Sequence, residues 1–379
     1  MGLVLTEDQQ LIRDTAKDFC TTQAPISQLR KLRDSQSADG FDRDTWQKMT
    51  ALGWPGIIFP ERLDGSGFGY FGLGVILEQT GRTLTASPLF ASVVLGGSAL
   101  LLGGNAMQQH HLIPKLIAGE TLYALAAEEG PHHSPYAVTT SARRAADGFV
   151  LNGRKVFVLD GHVADQLLVV ARTSGANTAR EGLTMFLLDA NAPGVTRRRT
   201  HMADSRNAAI LEFADVPLRA EQVLGAIDAG AEILDALLDR ARICLAAEML
   251  GGAQEAFDRT MSYLRERKQF GVVIGSFQGL KHRAAELYCQ LELARSAILE
   301  ALTALDERPT DVPQLAALAK AKANEVYHRA SNEAVQMHGG IGMTDEFDIG
   351  FFMKRARVCE QAFGDIAFQL DRYASLDGY

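Results

Sequence analysis

The sequence predicts a mainly α-helical fold with a middle β domain: an N-terminal helical domain at 1–121, a small β sheet or barrel at 122–228, and a C-terminal four-helix bundle at 229–379. Three observations carry this. Apolar residues recur at helix spacing from Thr6 to Gly119, and short apolar runs divided by polar turns fill the stretch after Leu122. From Gly230 onward, long helical patterns joined by short loops persist to the end, and long helices with short connections pack antiparallel in a bundle.

Taken in order, Thr6 with Gln9 reads as a capping box opening a helix whose apolar positions are Leu11, Ile12, Ala16 and Phe19. A second helix is expected from about Asp42. Residues 52–69 are dense in Gly and Pro and form a structured turn region. Helices resume over 72–82, 95–102 and 112–117. In the middle region, 149–151 and 155–159 read as a hairpin closed by Asn152-Gly153, since Asn-Gly supplies the positive φ of a tight turn. Further strands are expected over 167–171, 184–188 and 210–213, then long helices over 231–265, 277–306 and 313–337, with two shorter pieces after Thr344.

Composition excludes several functions. With 47% hydrophobic residues the chain builds a large core, and a formal charge of -8 offers no general field for nucleic acid or an anionic membrane. The longest apolar run, 84–102, is broken by Ser, Gly and Pro, so no membrane span is expected. Acids follow the first residues at once with no basic segment, which reads as neither signal nor transit peptide, and the expected location is cytoplasmic. Cys20, Cys244, Cys289 and Cys359 show no CxxC spacing and lie in apolar helical contexts typical of reduced, packed thiols. The pairs His110-His111 and His132-His133 diverge on helix or strand, so no metal is expected. Gly65-Ser66-Gly67-Phe68-Gly69 fails the dinucleotide fingerprint in spacing and context.

Two stretches carry chemistry. Arg265-Glu266-Arg267-Lys268-Gln269-Phe270-Gly271, followed by Ser276-Phe277-Gln278, packs cations, an aromatic ring and a glycine into one interhelical loop. Gln336-Met337-His338-Gly339-Gly340-Ile341-Gly342 ends a helix with three glycines where a C-cap needs one. With Leu52-Gly53-Trp54, Pro60-Glu61, Glu78-Gln79-Thr80-Gly81-Arg82, Leu151-Asn152-Gly153-Arg154-Lys155 and Ala164-Asp165 in order, the chain resembles the acyl-CoA dehydrogenases along nearly its whole length.

That resemblance implies an acyl-CoA dehydrogenase fold, FAD as cofactor, and α,β-dehydrogenation of an acyl-CoA to a 2-enoyl-CoA with electrons passed to an electron-transferring flavoprotein. It implies that Arg267 holds the FAD pyrophosphate, that Gln269, Phe270 and Gln278 lie along the adenosine half, and that Gln336, Gly339 and Gly340 approach FAD from a neighbouring subunit. Phe157 is the implied aromatic wall and Arg242 an implied substrate contact.

The chain departs from the family where the base should be. The two positions that carry the family's glutamate align with Phe363 and Ala241, and neither residue takes a proton. Asp239 is turned by about 200° from Ala241 on a helix, and Glu248 lies about 10 Å along the axis. Asp365, just past Gly364, is the remaining candidate base, with N-capping of the last helix as its competing role. The Thr-Glu-Pro and Trp-x-Thr stretches of the family become Ala127-Glu128-Glu129 and Phe157-Val158-Leu159, which keep an aromatic wall but lose the hydroxyls. This pattern resembles the base-lacking subunits of heteromeric bacterial enzymes of the pimeloyl-CoA or steroid side-chain type. The expected assembly is therefore a heterotetramer with a second, base-bearing chain, the alternatives being a homodimer or homotetramer, or a degenerate flavin-binding scaffold.

Overall fold

The computed structural model describes residues 5–379, so the reading of the first residues as lacking a leader falls largely on Met1–Val4, outside the described residues. The N-terminal helices are α1 (Glu7–Gln23), α2 (Ile26–Asp34), α3 (Arg43–Ala51), α4 (Gly69–Arg82), α5 (Ser98–Gly103) and α6 (Ala106–Ile117). The strands β1 (Tyr123–Ala126), β2 (Ser141–Ala145), β3 (Gly148–Leu159), β4 (Gln166–Arg172), β5 (Leu183–Asp189), β6 (Val195–His201), β7 (Asn207–Leu218) and β8 (Val223–Leu224) follow. Helices α7 (Gly230–Glu266), α8 (Gln278–Glu307), α9 (Val312–His338), α10 (Ile349–Gln361) and α11 (Ile366–Leu376) complete the chain, with β9 (Lys268–Gln269) and β10 (Val272–Val273) between α7 and α8.

The expected capping box at α1 is present: Thr6 Oγ1 accepts from Gln9 N at 3.3 Å and Gln9 Oε1 from Thr6 N at 3.0 Å. Asp42 caps α3 through Thr45 N at 2.7 Å. It opens the third helix, not the second: α2 precedes it, and because only Ile26 and Leu29 of that polar helix are buried, its apolar periodicity is too thin to read.

The described chain packs as two compact units. One comprises the described residues up to Lys31, Tyr70–Thr85 and Arg242–Tyr379; the other comprises Leu32–Gly69 and Ala86–Ala241. In the first unit, α4 crosses α7 at backbone contact. A Cβ on Gly81 would stand 2.0 Å from Glu248 O, and one on Gly251 would stand 1.8 Å from Glu78 O. Only glycine at both positions permits that approach. The crossing is flanked by ion pairs from Arg295 to Glu78 at 2.7 Å and from Arg82 to Asp258 at 2.7 Å and Glu255 at 2.8 Å.

In the second unit the strands form one sheet in the order β6-β7-β3-β2-β4-β5-β8, with β1 paired in parallel to β4. Phe149, Leu151, Leu167, Val169, Phe186, Leu188, Leu211 and Phe213 fill its core, with Phe149 and Phe186 edge to face at 5.3 Å. The expected hairpin at Asn152-Gly153 is not there. Ala145 pairs with Gly148 around a two-residue connection, and Asn152 and Gly153 lie inside continuous β3. Gly153 instead serves a register slip against β7, where its φ of +150° and its approach to Thr140 exclude a side chain. Asn152 exchanges hydrogen bonds with Asp215 at 3.0 and 2.9 Å. A positive-φ glycine suits a bulge as well as a turn, and the strand pairing decides between them.

One thiol also departs from expectation. Cys20, Cys244 and Cys359 are buried, but Cys289 is exposed on α8. No helix among the described residues is long and apolar enough to cross a membrane.

Candidate active site

At its C-terminus α7 runs straight into a hairpin in which Lys268 pairs with Val273 and Gln269 with Val272. The two residues at its tip, Phe270 and Gly271, have φ of +54° and +80°. Positive φ at both is the signature of the turn that twisted strands require. Glycine adopts it freely, whereas a residue with a Cβ is disfavoured there by about 1–2 kcal/mol. Phe270 is nonetheless 88% exposed. A strained aromatic held out into solvent contributes nothing to this chain's core, and such strain concentrates at binding sites.

Arg267 is fixed through its backbone, donating to Tyr263 O at 2.9 Å and accepting from Ile274 N at 2.8 Å. Among the described residues its guanidinium makes no hydrogen bond or ion pair, and the side-chain amides of Gln269, Gln278 and Gln336 are equally unengaged. Phe277 stands edge-on to Phe270 at 6.2 Å, so the start of α8 belongs to the same patch.

The glycine loop begins where α9 ends. Gly339 takes φ +66°, and a Cβ at Gly339 or Gly340 would meet nothing within 4 Å, which leaves the backbone open to an approaching group. Tyr263 ties this loop to the hairpin. Its ring stacks on His338 at 4.4 Å, its hydroxyl donates to His338 O at 3.3 Å, and its carbonyl receives Arg267 N. Burial lowers the pKa of His338 below its ordinary value, which favours the neutral ring that stacks here. Sequence reasoning missed Tyr263. Its signal was its place one helical turn before Arg267.

The turn at 362–365 joins α10 to α11. Phe363 and Gly364 have φ of +58° and +103°. Asp365 caps α11, its carboxylate accepting from Phe368 N at 2.9 Å. Arg242 is 2% exposed, donates from Nε to Phe363 O at 3.0 Å and lies over the Phe368 ring at 5.5 Å. Ala241 is fully buried on α7. Glu248, which the helix geometry left free to face a pocket, is held by Arg355 at 3.0 and 2.8 Å and is 3% exposed. Asp239 is also buried on α7, 2% exposed.

In the sheet unit, Phe157 sits on a bulge of β3 with φ +52°, where the register against β7 slips between Lys155 and Val158. The adjacent Val156 N donates to Glu128 O at 2.8 Å. Glu128 pairs with His133 at 2.5 Å. Glu129 pairs with the fully buried Lys155 at 2.8 Å and accepts from Thr139 N at 2.7 Å and Thr140 N at 3.0 Å. Burial alone would raise the Glu129 carboxyl, but the Lys155 ammonium and the bonds from Lys155 and Thr139 outweigh it and bring it from 4.5 down to about 2. Burial dominates at Lys155 and carries it down to about 8, because the ammonium is wholly enclosed while the carboxylate keeps 10% exposure.

This pair makes a pH prediction. The folded-state pKa of Glu129 lies below its unfolded value, so its stabilisation is complete above pH 4.5 and is lost as pH falls towards 2. The loss amounts to about 3 kcal/mol. Thermal melts from pH 6 to pH 3 should show the midpoint falling, and Glu129→Gln should flatten that slope while starting lower. An equal slope in the variant refutes the assignment.

The residues fit the flavin dinucleotide that the resemblance implies at its pyrophosphate and adenosine end. An unengaged guanidinium, an exposed aromatic plane, three free amides and open glycine backbone are the groups such a ligand needs. Within the sheet unit taken by itself, Phe157 provides a ring, but Ala127 and Leu159 provide no hydroxyl.

Comparison with known proteins agrees with this composition. Three family profiles cover the chain: "Acyl-CoA dehydrogenase, N-terminal domain" at residues 6–120, the middle domain at 124–216 and the C-terminal domain at 228–375. The chain is 32% identical to the probable acyl-CoA dehydrogenase YngJ of Bacillus subtilis, over 97% of each chain. It is 28% identical to the caffeyl-CoA reductase-Etf complex subunit CarC of Acetobacterium woodii, over 94% of each. Among solved structures, the ChsE4-ChsE5 complex of Mycobacterium tuberculosis superposes with a TM-score of 0.89 at 27% identity, over 100% of each chain.

Proposed function

We propose, from the premise that this chain belongs to the acyl-CoA dehydrogenase family, that it is an FAD-holding dehydrogenase subunit which works with a second, base-bearing chain. The family oxidises the CH–CH bond of an acyl-CoA thioester to a 2-enoyl-CoA, and FAD, when bound, supplies the hydride acceptor. The observation that carries the reading is the 362–365 turn. Phe363 stands at one base position and Ala241 at the other, while the nearby acids are already engaged: Asp365 in capping α11 and Glu248 in pairing with Arg355.

In this reading Arg267 lays its planar fork on the FAD pyrophosphate, and Phe270, Gln269 and Gln278 line the adenosine half. Gln336, Gly339 and Gly340 approach the FAD of the neighbouring subunit with open backbone. Arg242 serves the turn through the Phe363 carbonyl. The partner chain contributes the carboxylate that removes the α-proton. Support for an assembly of unlike chains comes from the ChsE4-ChsE5 complex, and support for a partnership with an electron-transferring flavoprotein from the Etf complex that contains CarC.

The test is expression of this chain alone and together with a base-bearing family member, recording the flavin spectrum and FAD per chain. The expected result is substoichiometric FAD alone and full occupancy in the pair. A yellow protein made alone, carrying one FAD per chain and oxidising acyl-CoA, would overturn the proposal.

A further inference from the structure

Buried polar side chains from three helices converge on the carbonyls of one short turn. Lys320 on α9 is 0% exposed, and its Nζ donates to Asn324 Oδ1 at 2.6 Å, Cys359 O at 2.9 Å and Gly364 O at 3.2 Å. Arg242 on α7 donates to Phe363 O at 3.0 Å. Gln369 on α11, also fully buried, donates from Nε2 to Phe363 O at 2.8 Å and Gly364 O at 3.3 Å. The hydrogen bonds of Lys320 all go to neutral oxygens, so its burial is not offset by a direct ion pair, and an ammonium is costly to bury on such terms. That cost is borne at a turn whose central residue is an uncharged phenylalanine in the left-handed region.

We infer that Lys320 is a positioning residue: by gripping the carbonyls of Cys359 and Gly364 it holds Phe363 in its left-handed conformation and so fixes where the 362–365 turn presents its side chain. The inference takes from the proposed function only that residue 363 occupies a base position.

Nζ also reaches Glu360 O at 3.5 Å, so four neutral oxygens surround it. The charged or titratable groups that act on Lys320 are Cys359 and Glu360 of α10, Arg242 of α7 and Asp365 at the start of α11, and the Glu360 carboxylate is itself turned to Arg357 at 3.0 Å. Burial brings Lys320 from 10.5 down to about 7. A turn that opens to water rehydrates the ammonium and returns its pKa towards the ordinary 10.5. The closed turn therefore binds the proton less tightly than the open one, so it loosens as pH falls towards 7 and is held more firmly as pH rises.

The experiment is amide hydrogen exchange on the full chain, in the assembly it forms, at pH 6 and pH 8.5 with rates corrected for intrinsic exchange. Wild-type amides of 359–366 should exchange at least ten times more slowly, after correction, at the higher pH. Lys320→Met should exchange fast at both. If that variant does not fold, Asn324→Asp decides, because a carboxylate at 2.6 Å raises the closed-state pKa towards the open-state one and shrinks the difference between the two pH values. A wild-type turn equally protected at both values, or an Asn324→Asp difference as large as that of the wild type, overturns the inference. The readout requires no FAD, substrate or partner, so it fails or succeeds independently of the proposed function.

Discussion

Acyl-CoA should bleach the flavin of the co-purified pair at least about 10²-fold faster than any flavin held by this chain alone, because a positioned general base contributes about 10²–10⁴ and the proposed function places that base on the partner. Phe363 and Ala241 cannot take a proton, and the Asp365 carboxylate is already an N-cap acceptor. The measurement is single-turnover loss of flavin absorbance under anaerobic conditions. Asp365→Ser in the pair is the internal control. Serine keeps the cap and removes the acid, so the rate should stay within about twofold. A large loss with Asp365→Ser, or fast bleaching by the chain alone, would restore Asp365 as the base.

Glu248→Ala should destabilise the chain by about 3–5 kcal/mol, since it removes the carboxylate that pairs with the buried Arg355, 8% exposed. The pair joins α7 to α10 through two hydrogen bonds to one carboxylate oxygen, at 3.0 and 2.8 Å. Denaturant unfolding would read the change. The double variant Glu248→Met with Arg355→Met should recover most of the loss, because removing both charges also removes the desolvation each one suffered. If the single and double variants are equally unstable, the loss belongs to packing and not to the broken pair.

Much of the candidate site was legible before the structure, because its signals are local. Arg267, Phe270 and the glycines after His338 stand out as residue types in the wrong place for a plain connection, and the resemblance to the family is what points to Phe363 and Ala241. What could not be read was engagement. Glu248 looked available until Arg355, 107 positions away in the chain, was found against it. Lys320 gave no signal at all in an alanine-rich helix, and its carbonyl partners lie 39 and 44 positions away.

The same division holds for the fold. Periodicity determined the long helices α7, α8 and α9 and the buried strands β4 and β5, since a helix or strand that buries a face must repeat its apolar residues at its own pitch. Polar elements were not determined this way. β6, with its three consecutive arginines, is a strand because it pairs with β7, and its arginines tie loops: Arg197 donates to Ala164 O at 2.8 Å and Arg199 to Ala38 O at 2.9 Å. The Asn152-Gly153 step has the chemistry of a turn, and only its pairing with β2 and β7 made it strand interior, opposite an extra residue of β7. The chain by itself determined where it is helical and where residue types suited to an anion gather. Tertiary structure alone decided which of the remaining acids are already used, because a hydrogen bond between distant residues leaves no mark on the local pattern of either.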